Sequence, residues 1–431
     1  MDEAAPLPSG LSALNEDERR EYWAALALRH IRGLGVRAAC TLLKHFGSAY
    51  EAVMNVPRWP EAGVPAQKAE GYLSNAWRTA ARPEWESARR LKGSVILWTD
   101  SRYPELLREL PDAPALLYAA GDVSLLNSPC VAVIGSRGAS SAALDFASSI
   151  AEALSRAGIT VVSGLAFGVD GYAHRAALSG PGRTIAVMAG GMDFAQPARH
   201  DSLYRSVKEK GLVISETAPG TIPGPGSFPI RNRIMSGLSL GVLVAEAGSV
   251  RSGSLITARL AAEQGRNVYV PSPDALRAPY REGTKKLLLD GARPVFQAGD
   301  ILADLFPHLK STLQNGPKRR LEAQPPAPRE SSENIYEAPQ ETVPAAQPKT
   351  APAPRPAGTP PARSFASPLT EEEETILDLL RHEPLSPDEL LYAAQERSGT
   401  WTSASVSAVL MILEVKKLVR RLSDARYEAV A

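Results

Sequence analysis

The chain has 431 residues, with 48 Lys and Arg against 47 Asp and Glu, a formal net charge of +1. At roughly 150 residues per domain this length accommodates about three domains, and 44% apolar with 22% charged residues excludes a wholly disordered chain. A nearly neutral chain cannot hold a nucleic acid or a membrane by its global field, so any such partner needs a local patch.

The N-terminus, MDEAAPLPSG, is acidic and lacks an apolar core, unlike a secretory signal. No run approaches ~18 uninterrupted apolar residues. A cytoplasmic protein with no membrane contact is expected. Residues 1–95 are expected to form a helical domain. Within it Ile31-Arg32-Gly33-Leu34-Gly35-Val36 precedes Ala38, Ala39, Leu42, Leu43 and Phe46, the pattern of a helix-hairpin-helix. Such a turn can offer backbone amides to a DNA phosphate, or it can be a plain helical hairpin. Two cysteines, Cys40 and Cys130, are too few for a disulfide framework or a four-ligand zinc site. They are expected to be reduced and buried.

Residues 96–310 are expected to form an α/β core. Val131–Ile134, Ile159–Val162, Thr184–Met188, Leu212–Ile214, Val242–Val244 and Val268–Val270 are short apolar runs separated by helical periodicity. Continuous apolar strands alternating with helices predict a doubly wound, Rossmann-like parallel sheet covered on both faces. In such sheets ligands sit beyond the carboxyl ends of the strands. Five motifs fall there.

The first is Gly135-Ser136-Arg137-Gly138, where backbone amides and a helix dipole can face an anion and Arg137 can clamp a phosphate or stack on a base. It lacks the third glycine of the dinucleotide fingerprint, so no nicotinamide cofactor is expected. The second, Ser163-Gly164-Leu165-Ala166-Phe167-Gly168-Val169-Asp170, is small enough for a backbone to approach a ligand. Asp170 and His174 lie at i and i+4, read as a pair bracing the loop, since no third metal ligand accompanies them. The third is Ala189-Gly190-Gly191-Met192-Asp193, a strand-end glycine site or a tight turn. The fourth, Phe228-Pro229-Ile230-Arg231-Asn232-Arg233, combines a ring that can stack a base with guanidiniums that can hold a backbone. The fifth, Ser249-Val250-Arg251-Ser252-Gly253-Ser254 after Glu246, is a Gly/Ser nest with one basic residue.

These motifs follow successive strands and should converge on one rim. Residues 128–310 carry 19 Lys and Arg against 14 Asp and Glu, or +5, which suits a polyanion. No nucleophile–base pair, Walker loop or metal cluster stands out, so binding is expected, with no catalytic residue, metal or cofactor. From Ser311 to Pro368 there are 13 prolines in 58 residues, an extended linker by composition. Residues 369–431 read as three helices and a hairpin around Ser423-Asp424, a winged helix. Its third helix spans Ser403–Lys417, and Lys416, Lys417, Arg420 and Arg421 cluster near its end. Such a unit reads either as a duplex-DNA binder acting through helix three or, as the sparse charge on Ser403–Met411 favours, as a protein-interaction module.

Val131–Arg137, Ser163–Asp170, Gly190–Asp193, Phe228–Ser239 and Glu246–Thr257, in this order and spacing, resemble the DNA-processing protein A family (DprA/Smf) of bacterial recombination mediators. The resemblance covers nearly the whole chain. It implies a sterile-alpha-motif-like helical domain, an extended Rossmann core and a C-terminal winged helix. It implies that the protein binds and protects incoming single-stranded DNA. It implies loading of the RecA recombinase, during natural transformation and homologous recombination, onto strands covered by single-strand-binding protein. It also implies a homodimer formed through the core. By position, Arg137 would meet a phosphate, and the Gly135–Gly138 and Ser249–Ser254 loops would complete the pocket. Phe228, Arg231, Asn232 and Arg233 would lie beside it. Ser163, Gly164, Phe167 and Gly190 are further candidates. Some relatives carry a Lys shortly before the Phe-Pro pair, where this chain has Pro225. Two other readings compete: a phosphoribohydrolase-like enzyme using Glu246, and a duplex-DNA-binding regulator acting through the winged helix.

Overall fold

The computed structural model describes residues 10–195, 197–276, 278–314, 371–397, 401, 406, 409–410, 413, 418–422 and 426–430. Nearly all of the Pro-rich stretch, Lys416, Lys417, most of Ser403–Lys417 and the Ser423-Asp424 turn therefore lie outside the described residues. The chain divides into two compact units, Met1–Glu322 and Ala323–Ala431.

The first unit opens with five helices, of which α1 and α3 carry side-chain caps. α1 (Glu16–His30) starts at Asn15, whose side chain accepts the Glu18 amide while Glu18 accepts the Asn15 amide. α2 (Gly35–Phe46) buries Ala39, Cys40, Leu42 and Leu43 on one face. α3 (Ala49–Met54) receives the buried Glu21 of α1, which accepts the Ala49 and Tyr50 amides at 2.8 Å. Those amides would otherwise be orphaned at the helix start. α4 (Gln67–Leu73) and α5 (Ala76–Arg89) complete the set. The turn between α1 and α2 forms as expected, and Lys68 of α4 donates to its Gly33 carbonyl.

The sheet follows: β1 (Ser94–Leu97), α6 (Glu105–Arg108), β2 (Leu116–Gly121), β3 (Cys130–Ile134), α7 (Ser141–Arg156), β4 (Thr160–Ser163), α8 (Val169–Ala177), β5 (Thr184–Val187), α9 (Asp201–Lys210), β6 (Leu212–Ser215), α10 (Ser227–Leu238), β7 (Gly241–Val244), α11 (Gly253–Glu263), β8 (Asn267–Pro271), α12 (Pro273–Leu276), α13 (Glu282–Leu289), β9 (Arg293–Val295) and α14 (Ala298–Gln314). Nine strands form one sheet in the order β1-β2-β6-β5-β4-β3-β7-β8-β9. β3 to β9 run parallel, and β3 to β7 are buried along their whole length.

One feature corrects the expected all-parallel sheet. β2 runs antiparallel to β6 and to β1, because the chain enters the sheet from the helical region by an edge hairpin. β9 is a further strand, only three residues long, and its Pro294 sits on the sheet edge, where a missing N–H costs no ladder bond.

The expected boundary at residue 95 falls inside β1. One hydrophobic cluster runs from Leu14 through Leu42 and Tyr118 to Val213. Polar contacts cross the same junction. The Tyr22 and Tyr118 hydroxyls lie 3.1 Å apart, and the Cys40 thiol donates to the Leu110 carbonyl at 3.4 Å. Cys40 and Cys130 are both buried and unpaired.

The second unit holds α15 (Glu371–His382), α16 (Pro387–Arg397) and the antiparallel pair β10 (Val419–Arg421) and β11 (Tyr427–Ala429). Ser386 and Glu389 cap α16 reciprocally. Ile376, Leu390, Val406, Val409, Leu410 and Leu413 share its core. No helix among the described residues is long and apolar enough to cross a membrane.

Candidate nucleic-acid interface

The strand order fixes where a ligand can sit. β3 is flanked by β4 and β7, whose crossovers leave toward opposite sides, and a crevice opens beyond their carboxyl ends at such a switch point. All five predicted motifs follow parallel strands, but the last of them turns away from this rim. The structure brings some of them together and turns others inward.

Arg137 is exposed, and its guanidinium carbon lies 5.5 Å from the centroid of the Phe228 ring. Phe228 is half-buried in the first turn of α10, and Asn232 is half-buried one turn further on. The first and fourth motifs thus meet as a cation over an aromatic face. Ile222 and Ile230, 74% and 57% exposed, add apolar surface on either side of Phe228 in sequence.

Arg231 and Arg233 depart from their expected backbone-holding role. Both are 6% exposed. Arg231 donates to the Val187 carbonyl and packs so closely on Gly164 that a Cβ there would fall 2.1 Å from its Nη1. Burial, opposed by Asp170 and aided by Arg137, lowers its pKa to about 10. Arg233 donates to Glu216 at 2.6 Å and lies 3.8 Å from Asp112. Their charge balances the buried Asp170 and the half-buried Glu216 and Asp112 instead of facing solvent.

The 164–166 loop is likewise committed internally. Asp170 accepts the Gly164 and Ala166 amides at 3.1 and 3.4 Å, and His174 Nε2 accepts the Leu165 amide at 3.3 Å. His174 Nδ1 meets the Thr184 hydroxyl at 2.7 Å. The Asp–His pair braces this loop, as expected, and Leu165 is held at a φ of 57°. Burial pushes the Asp170 carboxyl up, opposed by Arg231 and the loop amides. Burial pushes His174 down to about 3, with His200 and Arg231 adding to it. Ser163 is buried and donates to the Val133 carbonyl at 2.7 Å. Phe167 is buried edge-on to His200 at 4.9 Å and is no stacking platform.

The third motif is a tight connection. Gly190 is buried, and its carbonyl accepts the Ser215 hydroxyl at 2.6 Å. The Gly191 amide donates to the Thr221 carbonyl at 2.8 Å.

The expected anion nest at Ser136 is occupied by the protein itself. The Ser136 amide donates to the Glu246 carbonyl at 2.9 Å, and Gly135 is pressed against Val169. Gly168, at a φ of +72°, lies so close that a Cβ would fall 2.3 Å from the Ser136 carbonyl oxygen. Glu246 is 3% exposed. Its carboxylate accepts the Ser140 amide at 3.2 Å and the Ser140 hydroxyl at 2.7 Å at the start of α7. Arg281 Nε approaches it at 3.3 Å.

Gly138 is half-buried, and Ser249, Arg251 and Gly253 are exposed. The loop leaves the crevice after Gly248, so Arg251 and Ser252 line a groove with α11 and α13 instead. The Ser252 and Ser254 hydroxyls pair at 3.0 Å, and Ser254 is buried. Sequence reasoning missed Arg281, half-exposed on the rim, because it follows no strand end. Among the described residues no group of His, Cys, Asp or Glu could hold a metal ion.

The chain combines a mixed Rossmann-like sheet, bearing an exposed arginine and an aromatic ring at its rim, with a separate small helix-and-hairpin unit, and comparison with known proteins gives the family. The family model described as DNA recombination-mediator protein A matches residues 94–306, and that of the DprA winged helix domain matches residues 348–425. The DNA processing protein DprA of Bacillus subtilis is 39% identical over 225 residues, covering 52% of this chain and 75% of the relative. That of Streptococcus pneumoniae is 42% identical over 205 residues, covering 48% and 72%. The solved structure of DNA processing protein A from Streptococcus pneumoniae superposes with a TM-score of 0.55 at 32% identity, over 66% of this chain and 97% of that one. The chain belongs to the DNA-processing protein A (DprA/Smf) family.

Proposed function

We propose that this chain is a non-catalytic single-stranded DNA-binding protein that protects the strand and loads the RecA recombinase onto it. It does so in the cytoplasm, as a homodimer, on strands otherwise covered by single-strand-binding protein, in natural transformation and homologous recombination. The observation that carries the DNA reading is Arg137, exposed at the carboxyl end of β3 with its guanidinium above Phe228. A cation for a phosphate and a ring for a base coincide at one point, the combination that sequence-tolerant strand binding uses. The family description as a recombination mediator supports the recombinase role. The internal engagement of Glu246, Asp170 and His174 supports binding over hydrolysis, since a carboxylate already bonded to Ser140 and Arg281 is poorly placed to stabilise a cationic transition state.

The test is fluorescence anisotropy with a labelled single strand and a duplex of equal length at two salt concentrations. Tighter, salt-sensitive binding of the single strand is expected, lost across all sequences in Arg137→Ala. Equal or preferred duplex binding would overturn the reading, as would release of free base from nucleoside monophosphates that stops in Glu246→Gln. RecA assembly on strands coated with single-strand-binding protein, with and without this protein, tests the loading step.

A further inference from the structure

A second basic feature opens onto the same rim and takes no part in the Arg137 site. Where α5 ends, Arg90 and Lys92 are exposed, and they face Lys208 of α9 across a cleft of about 300 Å³. Met192, Asp193, Pro219 and Gly220 form its remaining wall with Ser87 and Leu91. Among the described residues none of the three cations pairs with a carboxylate. The one acid in the wall, Asp193, turns its Oδ1 to the Gly220 amide at 2.8 Å. Lys208 is seated over the Tyr204 ring at 6.0 Å, and the Tyr204 hydroxyl donates to the Met192 carbonyl at 2.7 Å. Lys208 is therefore held beside the rim loops that follow β5 and β6, and Arg90 and Lys92 line the same cleft.

We propose that this cleft takes a backbone phosphate of the same strand that lies on Arg137, extending the DNA path across the rim toward the α5 end. The inference rests on the function proposed above and adds a site to it. The argument is continuity. From Gly220 in the cleft wall, eight residues lead to Phe228, a reach of at most ~28 Å. The loop between them carries no basic residue, so a strand crossing it finds its next cations at Arg90, Lys92 and Lys208. A polyanion gains from such spaced cations through counterion release, whereas a single free phosphate meets only one end of the path.

Strand length separates the two sites. Oligonucleotides of ~5 and ~20 nucleotides bracket the site sizes usual for single-strand binders. They would be titrated against the wild type, Arg90→Ala/Lys92→Ala/Lys208→Ala and Arg137→Ala, with thermal unfolding confirming that each variant folds. The triple variant should bind the short strand like the wild type and the long strand at least about fivefold more weakly. Its salt slope on the long strand should fall by up to about 2, at ~0.7 for each phosphate no longer neutralised. A charge-reversing Lys92→Glu should give the same length-selective loss. Unchanged affinity for the long strand, or equal loss at both lengths, would overturn the cleft. So would competition of the length-dependent part by free thymidine monophosphate, which would make it a nucleotide site. Arg137→Ala binding both lengths at wild-type affinity would instead remove the rim contact, an outcome the triple variant cannot produce.

Discussion

The Arg137 guanidinium carbon stands 5.5 Å from the centroid of the Phe228 ring, joining the end of β3 to the first turn of α10. The ring lies against one side of this exposed arginine. Phe228→Ala should cost a stacked base, about 1–3 kcal/mol or roughly 5- to 150-fold in single-strand affinity. Phe228→Tyr should keep most of it. Anisotropy titrations of both variants at fixed salt check this, and equal affinity of the alanine variant would remove the ring from the interface.

His174 should give the protein an acid-sensitive step. Its pKa is about 3 in the folded chain, because burial disfavours the charged ring, against 6.5 unperturbed. The unfolded chain therefore takes the proton first. The stabilising contribution is complete above about pH 6.5 and is lost progressively as pH falls toward 3. His174→Gln should unfold at a lower temperature than the wild type at pH 7, and the gap should narrow by pH 4. Melting curves across that range decide it.

Gly164→Ala should destabilise the crevice, because its Cβ would fall 2.1 Å from Arg231 Nη1. Moving that guanidinium breaks its bond to the Val187 carbonyl and separates it from Asp170. A cost of about 1–3 kcal/mol is expected for such overpacking, read as a lower denaturant midpoint.

The junction of the helical region with the sheet depends on Glu84. Its carboxylate, 5% exposed, pairs with Arg29 and His30 and accepts the Tyr118 hydroxyl at 2.6 Å. Burial alone would raise its pKa, but Arg29 and these hydrogen bonds outweigh burial and hold it at about 2. Its contribution is present above about pH 4.5 and is lost as pH falls toward 2. Glu84→Gln leaves Arg29 without its anion and should cost about 3–5 kcal/mol. Urea unfolding at pH 7 measures it.

The core was legible where chemistry repeats. Runs such as Val131–Ile134 ending in glycine mark buried parallel strands, and the rim motifs follow from their ends. β1 and β2 were not legible, because their antiparallel pairing is set by the helical region they bridge to. The inward turn of Arg231 had a signal that the arginine-rich composition masked. Arg231, Ile234, Met235 and Leu238 are spaced i, i+3, i+4 and i+7 on α10, and all four are buried. Helical phase, more than charge, decides where that guanidinium points. Arg281 carried no local signal, since only the folding of the 278–282 segment back over Glu246 brings it to the rim.

Glu246 at the head of α7 has a consequence for selectivity. In a nucleotide-binding relative of this architecture the start of such a helix is the natural seat for one phosphate. Here the seat is taken by a tethered anion that never dissociates. A lone mononucleotide would have to displace it, whereas a long strand can pass it by and bind at many weak points. On the single-strand binding proposed above, the protein should therefore discriminate by valence, passing over free mononucleotides and retaining only strands long enough to rebind before they leave.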